Sequence, residues 1–217
     1  MDDRPRASGI RRGRAARRSG PVLATIFLSL ALLGCQAAMS DRSTPPELVP
    51  PPGHGPYTGT VADWPLWFYQ HSFGAHCFDT QRCEVLYAGL GHGSDEPSPS
   101  FASYGRDRNE LLSAGQLGIR NFPPPAVVTW QSKDGAGHRA EIDMGEIFKD
   151  RLIRHNVPRE KILEDSGMGD PEIIVEVDDR TINVYMRTFI PLKAPEISGN
   201  PHSDFNDELV LIFSQTY

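Results

Sequence analysis

Ala126-Val-Val-Thr-Trp130-Gln-Ser-Lys-Asp-Gly135-Ala-Gly-His-Arg-Ala140-Glu-Ile-Asp-Met144 decides the fold. Ala126, Val128 and Trp130 fall on one face of an extended segment. Ala140, Ile142 and Met144 do the same opposite Arg139, Glu141 and Asp143, and Asp134-Gly135 supplies turn chemistry between the two halves. This is a half-buried antiparallel hairpin. Downstream, residues 172–177 and 181–190 repeat the pattern around a turn at Asp178-Asp179-Arg180, with Ile182, Val184, Met186 and Ile190 alternating with Asn183, Tyr185 and Arg187. Residues 209–213 are apolar throughout, which predicts a last strand covered on both faces. Between the hairpins, Asp143 with Glu146 reads as a capping box. Ile147, Phe148, Leu152 and His155 then form one helical face, closed by Pro158, and residues 158–164 add a short second helix.

Upstream, Pro123-Pro124-Pro125 delivers the chain, extended, into the hairpin, and residues 91–108 read as loop. Residues 74–78 and 83–89 read as another hairpin, while Trp64-Pro-Leu-Trp-Phe-Tyr69 is a first strand or its approach. The strand order contains no alternating βαβ units. The expected fold is therefore α+β and β-rich: an antiparallel, sandwich-like sheet of about six or more strands with one main helix.

The front of the chain has a different character. Seven arginines precede the 13-residue apolar run from position 21 to 33, and Leu32-Leu33-Gly34-Cys35 follows. The run is shorter than the ~20 residues that span a bilayer, and a basic start, a short apolar core and a small residue before a cut site mark an export signal. Its ending resembles the lipobox of bacterial lipoproteins. That resemblance implies cleavage before Cys35 and lipidation of Cys35, a multi-chain anchor far stronger than the marginal single chain; an unlipidated secreted protein is the alternative. The expected organisation is residues 1–34 as a lipoprotein signal peptide, 35–62 as a lipid-anchored Pro-rich tether, and 63–217 as a single globular β-rich domain.

Removing residues 1–34 takes away seven arginines and two aspartates, leaving 15 basic and 26 acidic residues and a net charge of −11. Such a surface argues against nucleic acid and against adsorption onto anionic lipid, and it is compatible with a basic protein partner. With Cys35 assigned to lipid, Cys77 and Cys83 remain as an even pair in an oxidising compartment, where a disulfide is favoured over metal ligation because no second cysteine pair completes four ligands.

No nucleophile elbow, zinc-protease helix, phosphate loop or dinucleotide fingerprint is present, so no catalytic residue, cofactor or metal is assigned. Gly89-Leu-Gly-His-Gly93 reads as a turn. His71 and His76 are five apart and should lie on opposite faces of a strand, unless Gly74 marks a bulge that lets them converge with His92. The oxygen-rich loop at 200–208 could hold calcium but lacks the full pattern, and Ser103 with His92 or His138 forms no triad by inventory alone. Trp64, Trp67, Phe68 and Tyr69 are read as core, with a binding face as the alternative.

A lipobox, a Pro-rich tether, a small β-rich domain with one disulfide, and the stretch Ile119-Arg-Asn-Phe-Pro-Pro-Pro…Val128-Thr-Trp130 together resemble the envelope lipoproteins that act as immunity proteins to type VI secretion phospholipase effectors. The resemblance implies stoichiometric binding of a toxic effector at the periplasmic face of the outer membrane; Gln36 after the cysteine resembles outer-membrane sorting. A structural or assembly lipoprotein is the alternative, and a hydrolase a third. For a basic partner the candidate contacts are Asp95 and Glu96, Asp178 and Asp179, and Asp204, Asp207 and Glu208.

Overall fold

A computed structural model describes residues 48–217. The expected signal peptide, the expected lipidation site Cys35 and the expected tether up to residue 47 lie outside the described residues. Among the described residues eleven strands form two main sheets and a small ribbon: β1 (Gln70–Phe78), β2 (Thr80–Tyr87), β3 (Leu90–Ser94), β4 (Gln116–Arg120), β5 (Ala126–Ser132), β6 (Gly137–Ile142), β7 (Glu172–Asp178), β8 (Thr181–Arg187), β9 (Ile190–Pro191), β10 (Phe205–Asn206) and β11 (Val210–Thr216). One sheet has the order β11-β8-β7-β1-β4, the other β3-β2-β5-β6, and β9 pairs with β10. All described pairings are antiparallel except β1 with β7.

The period-2 pattern builds the core. Val85, Tyr87, Val128, Trp130, Ala140 and Ile142 point inward from the four-stranded sheet and meet Phe73, Ile173, Val175, Ile182, Val184 and Met186 from the five-stranded one in a single buried cluster. Both expected hairpins form: Val128 pairs with Ala140 across β5 and β6, and Val175 with Val184 across β7 and β8. Their turns meet at one end of the sandwich, where the Trp130 indole N–H donates to the carbonyl of Asp179 at 2.7 Å and Arg180 pairs with Asp134.

The segment read as a hairpin across residues 74–89 is a corner instead. Asp79, with φ 51°, is the one residue between β1 and β2, and it sends the chain from the five-stranded sheet into the four-stranded one. Cys77 and Cys83 are disulfide-bonded across this corner, Cα atoms 6.4 Å apart, so the bond ties the two sheets rather than the two arms of one hairpin. Replacing both cysteines by serine should lower unfolding free energy by about 2 kcal/mol, the chain-entropy value for so short a loop. Urea denaturation of both proteins under oxidising conditions measures it, and coincident midpoints would contradict the staple. Gly74 admits no side chain, since a Cβ there would sit 2.1 Å from the Ser113 carbonyl oxygen, where the chain crosses over β1.

Other expectations change for physical reasons. The main helix is a single turn, α2 (Met144–Ile147), started as expected by Asp143 accepting from the Glu146 N–H. Beyond Phe148 the backbone finds strand-like partners: the Arg151 carbonyl accepts from Phe68, Ile153 donates to Leu66, and Leu152 bridges Trp67. Those bonds to a distant segment replace the helix that Leu152 and His155 would continue. Residues 64–69 are thus the partner of 151–153, and regular pairing begins only at Gln70. Residues 158–164 hold one 3-10 turn, Arg159–Lys161. Four of the five residues Gly89–Gly93 belong to strand β3, an edge strand where the sequence predicts turn and loop. Strand β11 is an edge as well, so Leu211 is 52% exposed rather than covered.

The folded body also takes in part of the Pro-rich stretch. Pro51 is buried, Tyr57 packs edge-on against Trp67 and Tyr69, and Thr60 bridges Gly167. The Asp63 carboxylate accepts the N–H groups of Thr58 and Gly59, which fixes this turn against the body.

Candidate functional site

The outer face of the five-stranded sheet is not uniformly polar. Residues 97–114 cross it, bringing α1 (Arg108–Leu111), capped by the Asp107 carboxylate accepting from Glu110 N–H at 2.8 Å. Beneath this segment Phe78, Leu112, Ile174 and Tyr185 form a second, smaller core. Within it lies Glu176, fully buried on β7. A buried carboxylate is costly unless paired, and Glu176 is paired three ways. The Arg108 Nε lies 2.9 and 3.0 Å from its two oxygens, Arg108 Nη2 reaches one of them at 2.8 Å, and the Tyr185 hydroxyl donates at 2.7 Å. Arg108 also contacts Asp178 at 3.4 Å and lies 4.1 Å over the Phe101 ring. Hydrogen bonding to Glu176 holds the Arg108 guanidinium firmly protonated. Burial first and then Glu176 push the Tyr185 hydroxyl up, and burial raises Asp178.

Beside this cluster a groove of about 530 Å³ opens between α1 and the loop 196–209. Tyr185 and Leu209 line it together with Ile197 and Phe205 of the loop, and Asp107, Glu196, Asp207 and Glu208 supply carboxylates around it. Ile197 is 61% exposed, and Phe189, stacked on Phe205 with centroids 5.1 Å apart, is 50% exposed. The walls are held by bonds between side chains and the backbone. Leu209 N–H donates to Asn109 Oδ1 at 2.8 Å, Arg187 donates to the Asn109 carbonyl, and the buried Ser203 hydroxyl accepts from Ile197 N–H while donating to Asn200 O. Glu208 accepts from the Asn156 amide at 3.0 Å. Among the described residues none of the four carboxylates forms an ion pair, and the arginine closest to hand is committed to Glu176.

The seven acidic candidates are distributed, not gathered. Asp207 and Glu208 line the groove, and exposed Asp204 precedes them, its carbonyl accepting from Leu192 N–H. Asp178 lies behind the groove in the Arg108 pair. Asp179, with φ 52°, holds the turn: its carboxylate accepts from Lys133 N–H and its carbonyl from Trp130. Asp95 and Glu96 are exposed on the bend after β3, where Asp95 borders a separate depression of about 280 Å³ with Glu84 and His92. Arg108, Asn109 and Tyr185 were not among the candidates. Their signal was the lone Glu176 inside Ile173-Ile-Val-Glu-Val177, a charge that a strand buried on both faces must neutralise.

The reactive side chains elsewhere are structural in their contacts. His71 is buried between the sheets, its Nδ1 2.7 Å from Asn121 Oδ1 and its Nε2 3.1 Å from the Tyr87 hydroxyl, whereas His76 turns the other way to the backbone of Ser113. His92 lies 3.0 Å from Gln116. Ser132, Asp134 and His138 do converge, but the buried serine sits between acid and imidazole, donating to Asp134 at 2.6 Å, so the histidine is not placed between the two as a relay requires. Among the described residues no three His, Cys, Asp or Glu side chains gather as a metal site. Comparison with protein families, with curated proteins and with solved structures finds nothing that matches this chain.

Proposed function

We propose that this chain is an envelope lipoprotein that works by binding a protein, as an immunity protein neutralising a toxic lipase effector active in the periplasm. The observation that carries the binding reading is the groove. It combines exposed apolar side chains with carboxylates that no described cation neutralises, on walls fixed by side-chain-to-backbone bonds. Concave, part-apolar surfaces with a polar rim are what partners engage. The export reading draws on the basic start, the apolar run and Leu32-Leu33-Gly34-Cys35, and the disulfide is the kind of bond that persists in an oxidising compartment. Lipid on Cys35 would keep the domain at the periplasmic face of the outer membrane, where such an effector acts.

The test is co-expression with the product of the adjacent gene directed to the periplasm. The expected result is relief of toxicity, co-purification of the two proteins, and a Cys35→Ser variant that leaves the membrane fraction. Full toxicity with no complex would reject the immunity reading and leave a structural envelope lipoprotein in its place. Retention of the Cys35→Ser variant in membranes would reject the anchor.

A further inference from the structure

We propose that the groove between α1 and the loop 196–209 takes a lysine or arginine side chain presented by the protein partner, with its aliphatic stem against Tyr185 and Leu209 and its charged head among the carboxylates of the lip. The inference rests on the binding reading above and adds the site and the chemistry of what fills it.

Charge comes first. Four carboxylates line the groove, and none is neutralised among the described residues. Arg108 cannot swing out to serve them. Its guanidinium already closes on Glu176 through Nε and Nη2, contacts Asp178 and covers Phe101, and withdrawing it would strand a fully buried carboxylate. The occupant's charge must therefore come from outside. Shape is the second argument. Tyr185, Ile197, Phe205 and Leu209 give the groove a mostly apolar surface beside the polar Asn109, Asn200, His202 and Ser203, and 61% of Ile197 faces water. A small inorganic cation would leave that surface exposed, whereas lysine and arginine carry three or four methylenes that lie along apolar walls while the head stays polar. The volume, about 530 Å³, accommodates one such side chain with its neighbours. Rigidity is the third. Asn109 bonded to Leu209, and Ser203 bonded within its own loop, hold both walls before any partner arrives, which lowers the ordering cost of binding.

The experiment uses the full chain, purified in detergent, with ¹³C-labelled isoleucine and leucine methyls. Acetyl-Leu-Arg-Leu-amide is titrated against it, with acetyl-Leu-Gln-Leu-amide and spermidine as separate arms. The expected result is a shift of the Ile197 and Leu209 methyl signals with the arginine peptide, weaker with glutamine. Binding should weaken about tenfold in Asp207→Asn/Glu208→Gln, corresponding to loss of two charge contacts in a partly desolvated site. Ile197→Ser, which leaves the charges in place, should weaken it as well. Shifts confined to other residues, equal affinity for the glutamine peptide, or indifference to the double variant would overturn the proposal. Spermidine binding as tightly as the peptide would overturn the protein source and mark a small-cation site. The two readings fail separately. A complex with the effector that survives Asp207→Asn/Glu208→Gln rejects the groove and leaves the binding function standing, while absence of any complex with the unaltered chain rejects the function.

Discussion

Replacing Arg108 by methionine is expected to destabilise the protein by about 3–5 kcal/mol, the cost of leaving a buried charge without its partner. Glu176 has no route to water, being fully buried between the sheet and residues 97–114, and three of its four contacts come from Arg108. What remains is the single hydrogen bond from Tyr185. Surface ion pairs such as Arg106–Glu110 or Arg139–Glu141 should contribute 1 kcal/mol or less by the same measurement, because both partners stay hydrated. A second variant separates charge burial from lost packing. Arg108→Met combined with Glu176→Gln removes the stranded carboxylate and keeps an acceptor for Tyr185, so the double variant should regain at least half of the loss. Chemical denaturation of the three proteins at pH 7 decides the matter, and a double variant as unstable as the single one would show that lost packing on Phe101, not charge burial, is the source. The consequence reaches the groove, because Arg108 and Asn109 form one of its walls and are pinned to the sheet through this pair and the bonds of Asn109 to Arg187 and Leu209.

The parts of this architecture that could be read from the sequence are those specified locally. The β5–β6 and β7–β8 hairpins carry both an alternating pattern and turn residues between their arms, Asp134-Gly135 and Asp179-Arg180, so face and partner follow within twenty residues. The parallel pairing of β1 with β7 joins residues about 100 positions apart, Ser72 with Glu172 for example, and no short-range signal announces it. The corner at Asp79 shows why a disulfide was legible while its meaning was not. Two strand-like segments flanking a one-residue break look alike whether they pair with each other or enter different sheets, and only the outside partners decide. The helix is shorter than its spacing predicts for a related reason: Asp143 and the apolar spacing specify its start, but its length is set by Leu66 and Phe68 taking the backbone bonds of Ile153 and Arg151. At the groove, Asp207 and Glu208 were visible as acidic loop residues. The apolar wall that gives them a context is assembled from β8, α1 and the 196–209 loop, which only the fold brings together.

The protein is expected to lose roughly 3 kcal/mol of stability as pH falls from about 6.5 to about 4, through His71. Burial lowers this imidazole from its usual 6.5 to about 4, with the hydrogen bond to Asn121 offsetting part of the effect. Its contacts suit the neutral ring. Nδ1–H donates to Asn121 Oδ1 and Nε2 accepts from the Tyr87 hydroxyl, whose own ionisation burial pushes well above the usual value. A second proton would set Nε2–H against the hydroxyl that now donates to it. In the unfolded chain the imidazole takes up its proton near pH 6.5, while the folded protein resists until about pH 4. Between those values the unfolded state binds more protons, so stability declines with falling pH and levels off below the window. His155, half-buried and lowered by burial, acts in the same direction, and Asp178, raised by burial, acts in the opposite one. Asp134, held at about 2 chiefly by its bond from Ser132, contributes stability that is lost only below about 3.8 and does not confuse the measurement. The check is a series of urea denaturations between pH 7.5 and 4 on the wild type and on His71→Gln, whose amide reproduces one donor and one acceptor without a titrating group. The variant should be less stable at neutral pH because its side chain fills the site less well, yet flatter across the window. Equal slopes for the two proteins would mean that the acid sensitivity arises elsewhere, and a flat wild-type profile would mean that His71 takes its proton without opening the core.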